Sequence, residues 1–401
     1  MREIEAVFRE EHGRLLAALV RRFGDLDLAE EVASEAVEAA LVHWPADGVP
    51  PNPGGWLMTT ARRKAVDRLR RDQAYAAKLA VLQVDADRAA GAPPPDLPGE
   101  LPDERLQLFF TCAHPALAPE DRAALTLRCL AGLSTPEVAR AFLVPTATMA
   151  KRIVRAKQKI REARIPFRVP GPDELPDRLP GVLQVLNAIF TEGYAAQRDD
   201  LAAEAIRLTR ILRRLLPAQR EVTGLLALML LTHARREARA GGLLLHEQDR
   251  GRWDRSMIEE GLTLVPAALT GGPAGPFGVQ AAIAALHDEA ADVATTDWPQ
   301  VVALYDVLLA LTPSPVVALN RAAAVAMRDG PAAGLALLDE LAGEPRLRGY
   351  HPLHAARADL LARLGRAGEA AAAYREAIAL AGTEAEQALL RRRLDSLNSG
   401  P

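Results

Sequence analysis

Residues 133–160, LSTPEVARAFLVPTATMAKRIVRAKQKI, constrain the fold more than any other stretch, because they read as two helices joined by a short turn. The first helix is expected to start with Thr135 as its N-cap, Pro136 at the first helical position and Glu137 behind it. Unpaired backbone N–H groups and the positive end of the helix dipole favour those residue types there. Pro145 ends the connection. In the second helix Met149, Ile153, Ala156 and Ile160 recur at helical spacing and predict one buried stripe, which leaves Lys151, Arg152, Arg155, Lys157 and Lys159 to face away. That outward face suits a phosphate backbone; the plainer reading is a solvated surface helix.

Charge separates these readings. The whole chain carries a formal net charge of −3, whereas residues 122–168 hold eleven Lys or Arg against only Glu137 and Glu162. A local positive field of this kind binds nucleic acid by releasing counterions. A second basic helix is expected over 56–71, WLMTTARRKAVDRLRR, with Leu57, Ala61, Ala65 and Leu69 on one face and Arg62, Arg63, Lys64, Arg68, Arg70 and Arg71 in its second half. Residues 1–55 are the opposite, with five basic and eleven acidic side chains. Many of the acids fall in DLDLAEEVASEAVEAALVHW, Asp25 to Trp44. An acidic helix cannot lie on phosphate, so it meets a protein partner or solvates the molecule.

In this order, GDLDLAEEVASEAVEAALVHWP, then GGWLMTTARRKAVDRLRRD, then the helix-turn-helix, the chain resembles an extracytoplasmic-function sigma factor of bacterial RNA polymerase over about residues 4–168. The resemblance implies that the acidic helix docks on the clamp helices of the polymerase β′ subunit through Glu30, Glu31 and Glu35. Ser34 stands where the family usually has glutamine. It implies that Asn52, Trp56, Arg62, Arg63, Lys64 and Arg68 approach the melted −10 strand, where stacking and backbone neutralisation are needed. Anchoring in the core is an equal use for Trp56. In the helix-turn-helix, Thr146, Ala147, Ala150, Lys151, Arg152 and Arg155 fall near the start of the helix that reads the −35 element, with Lys157 and Lys159 further along it on phosphate. Leu143 occupies a turn position that often holds glycine.

The remaining organisation follows from composition and period. AAGAPPPDLPGE, 89–100, reads as an irregular linker, and the four prolines of PGPDELPDRLP, 170–180, argue against a continuous helix there. Residues beyond 180 are rich in Ala and Leu with helical patterning. His354 to Gly382 resembles a tetratricopeptide unit, with Ala358 on the first helix, Gly365 at the turn and Ala370, Tyr374 and Ala377 at the packing positions of the second. The frame also fits Ala285 to Pro313, through Val301, Tyr305 and Leu308, and more loosely 317–341 with a turn at Arg328–Pro331; 203–217 looks like another second helix. A period near ~34 residues implies stacked hairpins whose groove takes a peptide or protein ligand.

Other features exclude more than they assign. Cys112 and Cys129 fit a reduced compartment, and the histidines, His351 and His354 included, show no metal spacing. The glycines of TGGPAGPFG, 270–278, lack the strand and lysine of a phosphate loop, so a plain loop is expected. HEQDRGRWDR, 246–255, reads as a solvated turn around one buried tryptophan, or as a contact surface. Met1–Arg9 has no apolar core of a signal peptide, and the longest apolar run, 224–231, is too short for a bilayer. A soluble cytoplasmic protein is expected, with no membrane partner.

The expected architecture is all-α: sigma domain 2 over 1–73, a linker over 74–101, sigma domain 4 over 102–168, a linker over 169–180 and a helical-repeat extension over 181–401. The expected function is promoter-directed initiation with core RNA polymerase and promoter DNA as partners, no catalytic residues, no metal and no cofactor. A helix-turn-helix regulator or scaffold whose repeats bind a peptide or protein is the competing reading. A conventional repressor would need a dimer and a palindromic site and has no use for the acidic helix followed by the basic one.

Overall fold

The computed structural model describes residues 2–80, 104–142, 144–195, 198–239, 243, 245–382 and 384–398, and every regular element among them is helical. The chain divides into two compact units, Met1–Leu208 and Thr209–Pro401.

In the N-terminal unit, α1 (Arg2–Phe23), α2 (Leu26–Asp47) and α3 (Pro53–Ala80) pack on one another. The Asp25 carboxylate opens α2 by accepting from the N–H groups of Asp27 and Leu28 at 2.8 and 3.0 Å, and Gly48, with φ of 83°, closes it. The buried side of α2 is small, with Ala29, Val32, Ala33, Ala36 and Ala40, which lets Leu15, Leu16 and Leu19 of α1 and Leu57, Ala61 and Ala65 of α3 approach closely. Full burial of each leucine contributes about 1.5–3 kcal/mol. The stripe expected on α3 stops one turn early, since Leu69 is 37% exposed. Lys64 pairs with Glu35 and Arg68 with Glu31, so α2 runs nearly antiparallel and is almost exhausted where Leu69 falls. Helix α3 itself continues to Ala80, into the span expected as linker, while 89–100 lies outside the described residues.

The helix-turn-helix sits among α4 (Arg105–Cys112), α5 (Pro119–Cys129), α6 (Thr135–Ala141) and α7 (Thr146–Glu162). The N-cap of α6 is Ser134, one residue before the expected Thr135. Ser134 Oγ accepts from the Glu137 N–H at 3.4 Å, and the Glu137 carboxylate accepts from the Ser134 N–H at 2.7 Å. This reciprocal capping box makes Thr135 the first helical residue and Pro136 the second, where a missing N–H still costs nothing. Pro145 directly precedes α7, as expected; Leu143 lies outside the described residues. Met149, Ile153, Ala156 and Ile160 are all buried, the stripe that their spacing predicts. Cys112 and Cys129 are buried free thiols within this core. The hydrogen bond between them and their burial push the Cys129 thiol well above its ordinary pKa, so it stays a thiol.

The prolines of 170–180 delay a helix without preventing one: α8 runs Leu175–Ala195 with Pro180 inside it. Leu179, Val182, Leu183 and Leu186 of α8 are buried, Arg178 donates to the Phe110 carbonyl at 3.1 Å, and the helix packs on α4 and α5. That burial offsets the hydrogen bond that Pro180 cannot donate. The compact N-terminal unit therefore extends past the expected division at 169–180, and α9 (Asp199–Leu215) crosses its end.

In the second unit, α10 (Arg220–His233), α11 (Arg255–Leu269) and α12 (Pro276–Glu289) form a tight cluster. Loop 270–275 separates α11 from α12. The Glu221 carboxylate takes the N–H groups of Phe277 and Gly278, both at 3.1 Å, so the donors that a phosphate would use already have a partner. Trp253 is buried, with the guanidinium groups of Arg235 and Arg250 centred 5.1 and 4.9 Å from its ring. The helices α13 (Trp298–Leu311), α14 (Pro315–Arg328), α15 (Pro331–Leu341), α16 (His351–Arg363), α17 (Ala367–Leu380) and α18 (Glu384–Asn398) follow, each packed on its predecessor. Gly330 and Gly365, with φ of 97° and 74°, turn two of these hairpins in a conformation that glycine adopts freely. Ala358, Ala370, Tyr374 and Ala377 are buried together, as are Val301 and Leu308 around α13. No described helix is long and apolar enough to cross a membrane.

Candidate nucleic-acid and protein-binding surfaces

The first surface lies on α7. Thr146 and Ala147 are exposed in its first turn, and Lys151 and Arg155 continue the line from Ala147 at intervals of four residues, on one side of the helix. Lys159 is exposed beyond them; Ala150 and Arg152 are partly covered. Arg155 comes within 3.6 Å of the Asp121 carboxylate, yet its side chain remains 69% exposed. No side chain caps the start of α7 and no acid stands in its first turn, so its free N–H groups and dipole add positive potential where the exposed line begins.

Lys157 departs from expectation. It follows Ile153 by four residues and precedes Ile160 by three, which puts it at the border of the buried stripe and not on the outward face. Its side chain is 13% exposed, with Nζ 2.9 Å from Asp27 Oδ1 and paired with Glu30. Burial works against the Lys157 ammonium, but the carboxylates of Glu30 and Asp27 outweigh it and hold the pKa above the ordinary lysine value.

The second surface is the acidic helix. Glu31 pairs with Arg68, and Glu35 lies 3.1 Å from Lys64 Nζ and 3.9 Å from Arg68. Glu30 is different: only 9% of its side chain is exposed, and Arg128 Nε stands 3.2 Å from its Oε1 while Lys157 holds its other oxygen. Arg161 completes the group by pairing with Asp27 at 3.0 Å. The three glutamates expected to form one docking face are therefore split, two against α3 and one against α5 and α7. Asp27, Arg128 and Arg161 were not among the expected site residues. The signal for them was complementary spacing, Asp27 and Glu30 three apart on one helix and Lys157 and Arg161 four apart on another, but nothing local says that the two meet.

The third surface is the start of α3. Asn52 is exposed and its Oδ1 accepts from the Gly55 N–H at 2.8 Å, so it caps the helix. Trp56 is half-buried, edge-on to Trp44 at 5.4 Å and to His43 at 6.5 Å, which combines anchoring with one partly open face. Arg63 is exposed and Arg62 partly covered, whereas Lys64 and Arg68 spend their charge on α2.

The sigma-70 region 2 family matches residues 7–75 and the sigma-70 region 4 family residues 110–160. A family of unknown function, DUF6596, matches residues 178–269. "Uncharacterized protein R00370" of Rhizobium meliloti (strain 1021) is 44% identical over 405 residues, covering 96% of this chain and 94% of its own length. No solved structure matches the chain. Most of α1, all of α2 and most of α3 lie in the region 2 match, and α5, α6 and most of α7 in the region 4 match. The chain thus belongs to one family with the rhizobial protein, and its sigma-70 region 2 and region 4 domains support a sigma factor of the extracytoplasmic-function, sigma-70 type with a helical C-terminal region.

Proposed function

We propose that the exposed line of Thr146, Ala147, Lys151 and Arg155 on α7, with the partly covered Ala150 and Arg152 beside it, enters the major groove of a −35 element. The observation that carries this reading is the combination of a firmly capped α6, an uncapped positive start to α7 and long cationic side chains on one open side of it. Base edges are read from the first turns of such a helix, and Lys159 beyond them suits phosphate. Asn52, Trp56, Arg62 and Arg63 form the edge that we assign to the −10 strand; Lys64 and Arg68 can join them only by leaving Glu35 and Glu31. Glu30, Glu31 and Glu35 are the residues that we assign to the polymerase clamp, and each has to exchange an internal cation for one on the partner.

The C-terminal helices act, in this reading, as a fused regulator built from tetratricopeptide-like hairpins. The turn glycines Gly330 and Gly365 and the small packing residues Ala358, Ala370 and Ala377 support the hairpin description. A groove of about 210 Å³, lined by Leu262, Val265, Leu269, Leu286 and Leu304 together with Glu289 and Gln300, is one feature that a peptide or protein ligand would meet.

Promoter-directed run-off transcription with core polymerase tests the central reading. The full chain should start transcripts at defined sites, and Lys151→Ala should lower output at preferred −35 sequences. Specific DNA binding without core polymerase, at a palindrome and as a dimer, would refute it.

A further inference from the structure

The acidic surface assigned to polymerase and the basic helix assigned to DNA are bonded to each other within the N-terminal unit. Lys157 and Arg161 of α7 and Arg128 of α5 surround Asp27 and Glu30 of α2. A second pair, Arg21 of α1 with Glu104 beside α4 at 2.5 Å, ties the same two helical groups together elsewhere. Between them the backbones come close: a Cβ added to Gly13 of α1 would lie 3.0 Å from the Leu130 carbonyl, and one added to Gly132 would lie 3.0 Å from the ring of His12. The two groups thus form a fitted interface held at its rim by charges.

We infer that this is a closed, self-inhibited form, in which the region 4 domain occupies the acidic face of region 2 and competes with the polymerase clamp for it. The inference rests on the sigma-factor reading. Glu30 is 9% exposed and has two internal cations, so it cannot meet an external partner until Lys157 and Arg128 leave. The same contact withdraws Lys157 from phosphate. One closure therefore masks a polymerase contact and part of a DNA contact together, and opening releases both. The contact suits a reversible lock because the ion pairs at its rim are partly solvent-exposed. Lys157 is 13% exposed, but Asp27 is 43% and Arg161 62%, and water with salt can replace such partners. Where the binding-competent state is only a fraction of the population, the apparent dissociation constant rises by the inverse of that fraction. Loosening the lock should then tighten polymerase binding with no new contact to polymerase.

The test uses the full chain with two variants that weaken the lock from opposite sides, Lys157→Gln on α7 and Asp27→Asn on α2. Asp27 is outside the set assigned to the clamp and its side chain is partly exposed, so replacing it disturbs folding little and at least one folded variant is available; circular dichroism checks both. Binding to core polymerase without DNA is measured by titration. Separation within the free protein is measured between spin labels on Val42→Cys and Val154→Cys, both exposed positions, while the native thiols are buried. The expected result is affinity for core polymerase higher than wild type by roughly tenfold in each variant, with a longer label separation in each. Wild type that binds core polymerase as tightly as both variants, or label separations that do not change, would overturn self-inhibition and leave the sigma-factor reading standing. Failure of wild type and both variants to bind core polymerase at all would overturn both.

Discussion

Gly224→Ala is expected to destabilise the C-terminal unit although alanine is the better helix former. Gly224 lies within α10, and a Cβ built there would stand 2.6 Å from the Gly278 nitrogen, 2.8 Å from its Cα and 3.0 Å from the Phe277 carbonyl carbon of α12. All three atoms are backbone, so no side chain can turn aside and the two helices must separate locally by several tenths of an ångström. Overpacking of this kind costs about 1–3 kcal/mol. Alanine returns about 0.5–1 kcal/mol through helix propensity and a less flexible unfolded chain. The balance is a loss of up to about 2.5 kcal/mol, or as much as roughly 5–10 °C in Tm for a unit of this size. Gly368 supplies the opposite case, because it lies in the first turn of α17 with nothing within 4 Å of an added Cβ. Gly368→Ala should stabilise by about 0.5 kcal/mol. Urea unfolding of the full chain, with hydrogen exchange to locate the change, gives both signs. Faster exchange should appear in α10 and α12 for Gly224→Ala only. Equal stabilisation by the two substitutions would show that α10 and α12 do not meet through glycine backbones, and the packing argument would fall.

Two further outcomes follow from particular side chains. His12 is buried, and desolvation, with Arg128 nearby, lowers its pKa to about 4 from an ordinary 6.5. The fold prefers the neutral ring, so its contribution is complete above about pH 6.5 and is lost as pH falls from there towards 4, by about 3 kcal/mol in all. Urea midpoints of the N-terminal unit should drop over that window, and a His12→Gln variant with the same slope would remove the assignment. On DNA, Lys151→Ala should cost about 1–3 kcal/mol at a preferred −35 duplex and little on a scrambled one, whereas Lys159→Ala should weaken both alike and flatten the salt dependence. Equal losses on both duplexes for the two variants would exclude base reading by this part of α7.

What the sequence determines by itself is local. The stripe Met149, Ile153, Ala156 and Ile160 was legible because a helix returns to the same side every 3.6 residues, and the start of α7 after Pro145 and the turns at Gly330 and Gly365 were legible because backbone sterics act within a few residues. Even the one-residue error at Ser134 came from two adjacent hydroxyl residues, either of which can cap; the reach of Glu137 back to the Ser134 N–H decides between them. The order of an acidic helix, a basic helix and a helix-turn-helix likewise pointed to a sigma factor of the sigma-70 type. The fate of individual charges was decided only by tertiary structure. Lys157 and Lys159 are chemically identical and two residues apart, yet one is held by Glu30 and Asp27 and the other is exposed. The partners lie 127 and 130 residues away along the chain, and no periodicity spans such a distance. Leu69 and Pro180 make the same point from the apolar side. A leucine at a stripe position is exposed near the end of the helix opposite it, and a proline is accommodated inside α8, where α4 and α5 pack beside it. Burial and ion pairing depend on what stands opposite, and that is set when helices dock.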